Sequence, residues 1–171
     1  IGILAGVIMI STSSSIDKAN FAKAQAFSST VQNELLSNLV SEWTFDEPEV
    51  SGKTLDSWGN NDGTVVGPDY VSQSSKECVS GGCYNFVAVN VDYIMVNDSD
   101  DIDRLDEITI SVWVKNDPTS SGTQMVLEKS PSGTTGYNLL TYGNFQGRIY
   151  PSSIASSKNV RDNLWHHCVM K

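Results

Sequence analysis

The chain has 171 residues, 11 Lys+Arg against 20 Asp+Glu, and a net charge of −9. That length suggests about one domain plus an appendage, and 39% hydrophobic against 18% charged residues excludes wholesale disorder. The acidic balance excludes the basic face of a nucleic-acid binder, and two His with three Cys leave little room for a zinc centre.

Residues 1–40 read as a helical arm. Ile1–Ile10 is apolar all round, Ser11–Ser15 is polar, and Phe27, Val31, Leu35 and Leu39 then recur every four residues. That is helical periodicity. Gly and Pro are absent from residue 7 to residue 47, so one continuous helix over residues 3–38 is predicted. No stretch reaches the roughly 18–20 apolar residues of a full membrane span. The chain opens on Ile1 rather than Met, so a processed or truncated piece is expected. The arm is neutral, with two Lys, one Asp and one Glu, whereas residues 41–171 carry the whole charge and all five Pro.

Residues 41–171 read as β. Short runs recur at Glu42–Phe45, Gly63–Val66, Cys83–Val87, Tyr93–Val96, Ile108–Val114, Gln124–Glu128, Tyr137–Tyr142, Gly147–Tyr150 and Leu164–Val169. Gly/Ser/Asn/Asp/Pro clusters such as Gly59–Gly63 and Ser130–Gly136 separate them, the pattern of an antiparallel sandwich. In Ile108–Val114 the alternation puts Ile108, Ile110, Val112 and Val114 on one face and Trp113 on the other.

The opening Ile-Gly-Ile-Leu-Ala-Gly-Val-Ile, continued by an amphipathic helix with Asp17-Lys18-Ala19, resembles the N-terminal helix of type IV pilins and type II secretion pseudopilins. The resemblance implies a membrane anchor or a filament core packed with other pilin subunits. The leader and the glutamate that mark that family lie outside this sequence.

Residues 42–171 resemble the laminin-G-like, concanavalin-A-type jelly roll. The family's signposts follow in order: Trp43–Glu47 for W-x-F-D-E, Leu55–Thr64 for its Asn/Gly loop, and Gly81–Phe86 for G-G-x-x-x-F. Asp92-Tyr93-Ile94, Ile108–Lys115 for T-I-S-x-W-V-K, and Leu164–His167 for W-H-H complete the set. The fold expected is therefore mainly β, an antiparallel jelly-roll sandwich preceded by one long N-terminal helix. Its strands are expected to be incomplete, because the chain stops at Lys171 in mid-strand.

The loop Asp56–Gly63 is the best ligand site. Asp56, Asn60 and Asp62 offer the side-chain oxygens that calcium takes, and related domains hold a structural calcium at this loop. The other reading is a plain Asn/Gly turn. Asp98, Asp100, Asp101 and Asp103 read as a solvated loop. Cys78 and Cys83 enclose Val79-Ser80-Gly81-Gly82, a tight turn that suits a disulfide in an exported protein, the alternative being two reduced thiols. Cys168 reads as a buried thiol. His166 and His167 point to opposite faces of a strand, so they do not act on one substrate together. No strand carries the carboxylates that glycosidases place at alternate positions.

These features suggest a non-catalytic module for a glycan or a surface protein, displayed on a membrane or an extracellular filament. Trp58, Tyr70, Tyr93 and Tyr142 are the aromatic candidates for stacking on a sugar. Two alternatives stand: a fragment of a secreted glycoside hydrolase or lyase with an accessory jelly roll, and a purely structural minor pilin.

Overall fold

The computed structural model describes residues 2–75, 77–103, 107–130 and 135–171. Of the expected turn Ser130–Gly136, residues 131–134 therefore lie outside the described residues. The molecule is mainly β, with antiparallel sheets and one N-terminal helix. Residues 1–36 and 107–171 form one compact unit, and residues 37–106 form another.

In the first unit, helix α1 runs Gly2–Leu35 and ends in a 3-10 turn at Leu36–Asn38. It passes through Ser11–Ser15 without a break, as the absence of Gly and Pro there allows. At ~1.5 Å per residue it is about 51 Å long. Among the described residues no helix is long and apolar enough to cross a membrane.

The side of α1 that packs is rotated from the expected stripe. Phe21, Ala24, Ser28, Val31 and Leu35 are partly buried, a three-four spacing that keeps one seam facing its support. Val31 and Leu35 were expected there. Phe27 is 52% exposed yet meets His167 edge-on, and Leu39 is partly buried beyond the helix end. Trp113 rises from the sheet and takes contacts from Phe21 and Ser28.

The strands of this unit are β6 (Ile110–Lys115), β7 (Gln124–Lys129), β8 (Tyr137–Tyr142), β9 (Asn144–Ile149), β10 (Ser152–Asn159) and β11 (Trp165–Met170). One sheet has the order β10-β9-β8-β7, and β11 pairs with β6 in another. Val114, Cys168 and Met170 from β6–β11 share a core with Leu139 and Phe145 from β8–β9. The alternation expected in Ile108–Val114 is observed. Ile110, Val112 and Val114 face this core, and Trp113 faces α1. β10 is exposed along its whole length. The sequence pattern missed it because Ser-rich strands carry no apolar alternation.

In the second unit, β1 (Lys53–Thr54), β2 (Gly63–Val66) and β5 (Tyr93–Val96) form a sheet in the order β1-β2-β5. A separate pair joins β3 (Asp69–Val71) to β4 (Cys83–Asn85). Cys78 and Cys83 are disulfide-bonded, with Cα atoms 5.6 Å apart. The expected strand Glu42–Phe45 is not formed. Its backbone bonds to the Asp56 loop instead, with Glu42 accepting from Ser57 N–H at 2.8 Å, and Phe45 turns the chain at φ 57°.

Candidate functional site

Asp56 organises the loop that the sequence marks as the ligand site. Its Oδ1 accepts backbone N–H bonds from Glu42 (2.9 Å), Trp58 (3.1 Å) and Gly59 (2.9 Å). Its Oδ2 accepts from Asn61 N–H at 3.0 Å. The side chain is 8% exposed. Burial by itself raises the pKa of such a carboxyl, but the N–H bonds from Glu42, Gly59 and Asn61 outweigh it and hold the group at about 2. Gly59 is required by space. A Cβ there would lie 2.4 Å from the Val40 carbonyl oxygen and 2.6 Å from Asp56 Oδ2.

This arrangement does not fit a calcium ion on Asp56. Three N–H donors converge on Oδ1 and one on Oδ2. A cation placed there would face the positive ends of those N–H groups. Among the described residues no three His, Cys, Asp or Glu side chains gather in a metal-holding group. Asp62 Oδ1 accepts the Asp56 N–H at 3.0 Å, and Asn60 is exposed. Asp56, Asn60 and Asp62 are thus neighbours with different tasks.

The cleft beside them is the candidate site. Lys53, Asn60, Asn61, Asp62, Asn97, Asp98 and Ser99 line an open polar hollow of about 200 Å³. Strand register builds it. Gly63 pairs with Val96, and Thr54 pairs with Gly63. The segment entering β2, the segment leaving β5 and the last residue of β1 therefore meet at one end of the sheet, with Lys53 one residue back from it. Asn61 fixes the floor, donating from Nδ2 to Ser41 Oγ and accepting from Ser99 Oγ, each at 2.7 Å. Trp43 Nε1 donates to the Asn61 carbonyl at 2.9 Å.

The sequence pattern did not reveal this meeting of Asn60–Asp62 with Asn97–Ser99. The pairing of Gly63–Val66 with Tyr93–Val96 was the signal that could have found it. Asp98 and Ser99 therefore line the hollow, although the acidic run Asp98–Asp103 reads in sequence as a solvated loop.

The four aromatic candidates do not form one set. Trp58 belongs to the Asp56 loop and is 52% exposed. Tyr93 on β5 is about half exposed. Tyr70 is committed internally, donating its hydroxyl to the Asp46 carbonyl and meeting Tyr84 edge-on at 5.6 Å. Tyr142 belongs to the other unit, where the Arg161 guanidinium lies 5.9 Å over its ring.

Residues 37–106 hold three Lys+Arg against 14 Asp+Glu, a net charge of 3 − 14 = −11, so the cleft sits in a strongly acidic unit. The two histidines part as expected. His166 Nε2 lies 2.8 Å from Asp162 Oδ1, and His167 packs on the α1 side. Cys168 is buried, and burial pushes its thiol up to about 11. No family model, curated protein or solved structure matches the chain.

Proposed function

We propose that the chain is an exported display protein with a non-catalytic glycan-binding module in its β part. Helix α1 anchors it in a membrane or in a filament of like subunits. The glycan contact is the cleft of residues 37–106. The observation that carries the reading is the meeting of Lys53, Asn60, Asp62, Asn97 and Asp98 at one sheet end, with the half-exposed Trp58 in the same loop.

Sugar hydroxyls donate and accept, and amides and carboxylates match both roles. An exposed indole offers a flat apolar face for a pyranose ring. The charge of the unit selects neutral or amino sugars and repels uronates and sulfated chains. The apolar start of α1, its unbroken run and the disulfide all suit an exported, anchored protein.

The test is binding of the full chain to immobilised neutral, amino and acidic polysaccharides, read by calorimetry and by reducing-sugar release. Binding to a neutral or amino glycan is expected to weaken at least about tenfold in Trp58→Ala and in Asp62→Asn, the size of one lost stacking or hydrogen-bond contact. Unchanged binding in both variants overturns the cleft assignment. Release of reducing ends would make the protein a hydrolase instead.

A further inference from the structure

Helix α1 docks on the β6–β11 pair through an aromatic cluster with a histidine at its centre. Trp113 and His167 are direct cross-strand partners. Their ring centroids are 5.0 Å apart, with planes tilted by 32°. From α1, Phe21 meets Trp113 at 5.8 Å and Phe27 meets His167 edge-on at 5.5 Å. Trp113 Nε1 donates to Ser28 Oγ at 3.2 Å. His167 thus lies against a ring from β6 and a ring from α1.

Its two nitrogens are in unlike surroundings. Nε2 is 2.7 Å from Ser111 Oγ. Nδ1 is buried and has no hydrogen-bond partner. A neutral imidazole carries one N–H and one bare nitrogen. Placing the proton on Nε2, where Ser111 accepts it, leaves only a lone pair at Nδ1. Protonation turns Nδ1 into a second donor with no acceptor and puts a charge into an aromatic contact.

The Trp113 face attracts a cation and works against this effect. Burial and the missing acceptor act on the ring itself, and burial holds the His167 pKa below its usual range. The ionisable groups on the packed elements are Asp17, Lys18, Lys23 and Glu34 on α1, Lys115 on β6, and His166 and Cys168 on β11, with Lys171 just beyond it. None contributes to the shift, whose one cause is desolvation.

We propose that His167 is a pH-sensitive latch whose protonation releases α1 from the β6–β11 face while the sheets stay folded. Release withdraws Phe27 and lets water reach the ring. The sheets survive because their core lies on the opposite face, around Val112, Val114, Cys168 and Met170. Docked His167 binds a proton less readily than free His167. Docking is therefore strongest above the usual histidine range and weakens as pH falls through it toward the docked value. The docking equilibrium changes by at most about tenfold per pH unit, the limit for one proton. The inference does not depend on the glycan reading.

The test is nuclear magnetic resonance of the 15N-labelled full chain between about pH 7.5 and about pH 4.5, the span in which histidine titrates. The Trp113 indole N–H, assigned with Trp113→Phe, is expected to move toward its solvent-exposed position with the same midpoint as the His167 ring nitrogens. Amides of β7–β9 are expected to stay in place. His167→Gln, which cannot take up a charge, is expected to keep the indole signal fixed, whereas His166→Gln is expected to titrate like the parent. An unmoved indole during His167 protonation overturns the latch, and so does movement that persists in His167→Gln. Should His167→Gln fail to fold, separate midpoints for the indole and for His167 in the parent chain overturn it equally.

Discussion

Removing the Asp56 carboxylate is expected to unfold the 37–106 unit more readily than any other single change in its loops. A carboxyl held at about 2 against an ordinary 3.8 stabilises the folded state by about 2–3 kcal/mol at neutral pH, taking ~1.4 kcal/mol per pH unit. Four backbone donors from Glu42, Trp58, Gly59 and Asn61 converge on it. Leaving a buried donor unmatched costs roughly 1–3 kcal/mol, and three of the four bonds are only partly buried.

Asp56→Ala is therefore expected to lose about 3–5 kcal/mol, several unmatched donors outweighing the ionisation gain. Asp56→Asn keeps one oxygen for the three donors at Oδ1 but turns an NH2 toward Asn61 N–H. Its expected loss is about 1–3 kcal/mol, one orphaned donor plus the lost charge.

The sign of the pH effect is fixed by the depressed pKa. The stabilisation is complete above about pH 5 and is lost as pH falls through 3.8 toward about 2. Urea denaturation of the full chain at neutral pH and at steps down to about pH 2.5 reads both quantities. A folded 37–106 unit in Asp56→Ala with the parent's midpoint would refute the reasoning. So would an acid-induced loss of the same steepness in Asp56→Asn.

Gly59→Ala is expected to cost at least about 2 kcal/mol, the scale of overpacking against backbone, because its Cβ would meet the Val40 carbonyl oxygen; an unchanged urea midpoint would contradict this. Cys168 is expected to resist a thiol reagent in the native chain at neutral pH and to react fully in urea, since it is buried and burial pushes its thiol up to about 11; fast native labelling would show that the β6–β11 core opens readily. Calcium is expected to leave the melting temperature where chelator does, because four backbone N–H groups already point at the Asp56 carboxylate; a rise that Asp56→Asn abolishes would show that Asp56 binds the ion.

Local patterns in the chain determined a good deal by themselves. The run without Gly or Pro permitted an unbroken α1, because no breaker in it interrupts the i to i−4 ladder. Alternation in Ile108–Val114 separated the core face from Trp113, because a strand sends successive side chains to opposite sides. The Cys78–Cys83 turn is short enough that its closure is a local event. Each of these rests on contacts within a few residues.

The tertiary structure decided the rest, through partners far apart in sequence. Which side of α1 packs depends on where Trp113 stands, 85 residues beyond Ser28, and so Phe21 and Ser28 join the seam. Three of the N–H donors on Asp56 are local, and the fourth comes from Glu42, 14 residues earlier. The Asn/Gly loop has the same composition whether Asp56 faces an ion or the backbone, because residues that ligate cations also accept N–H bonds. Asn60–Asp62 meets Asn97–Ser99 only because Gly63 pairs with Val96. Register is a property of two strands together, and a one-residue slip would have turned those side chains to the other face of the sheet.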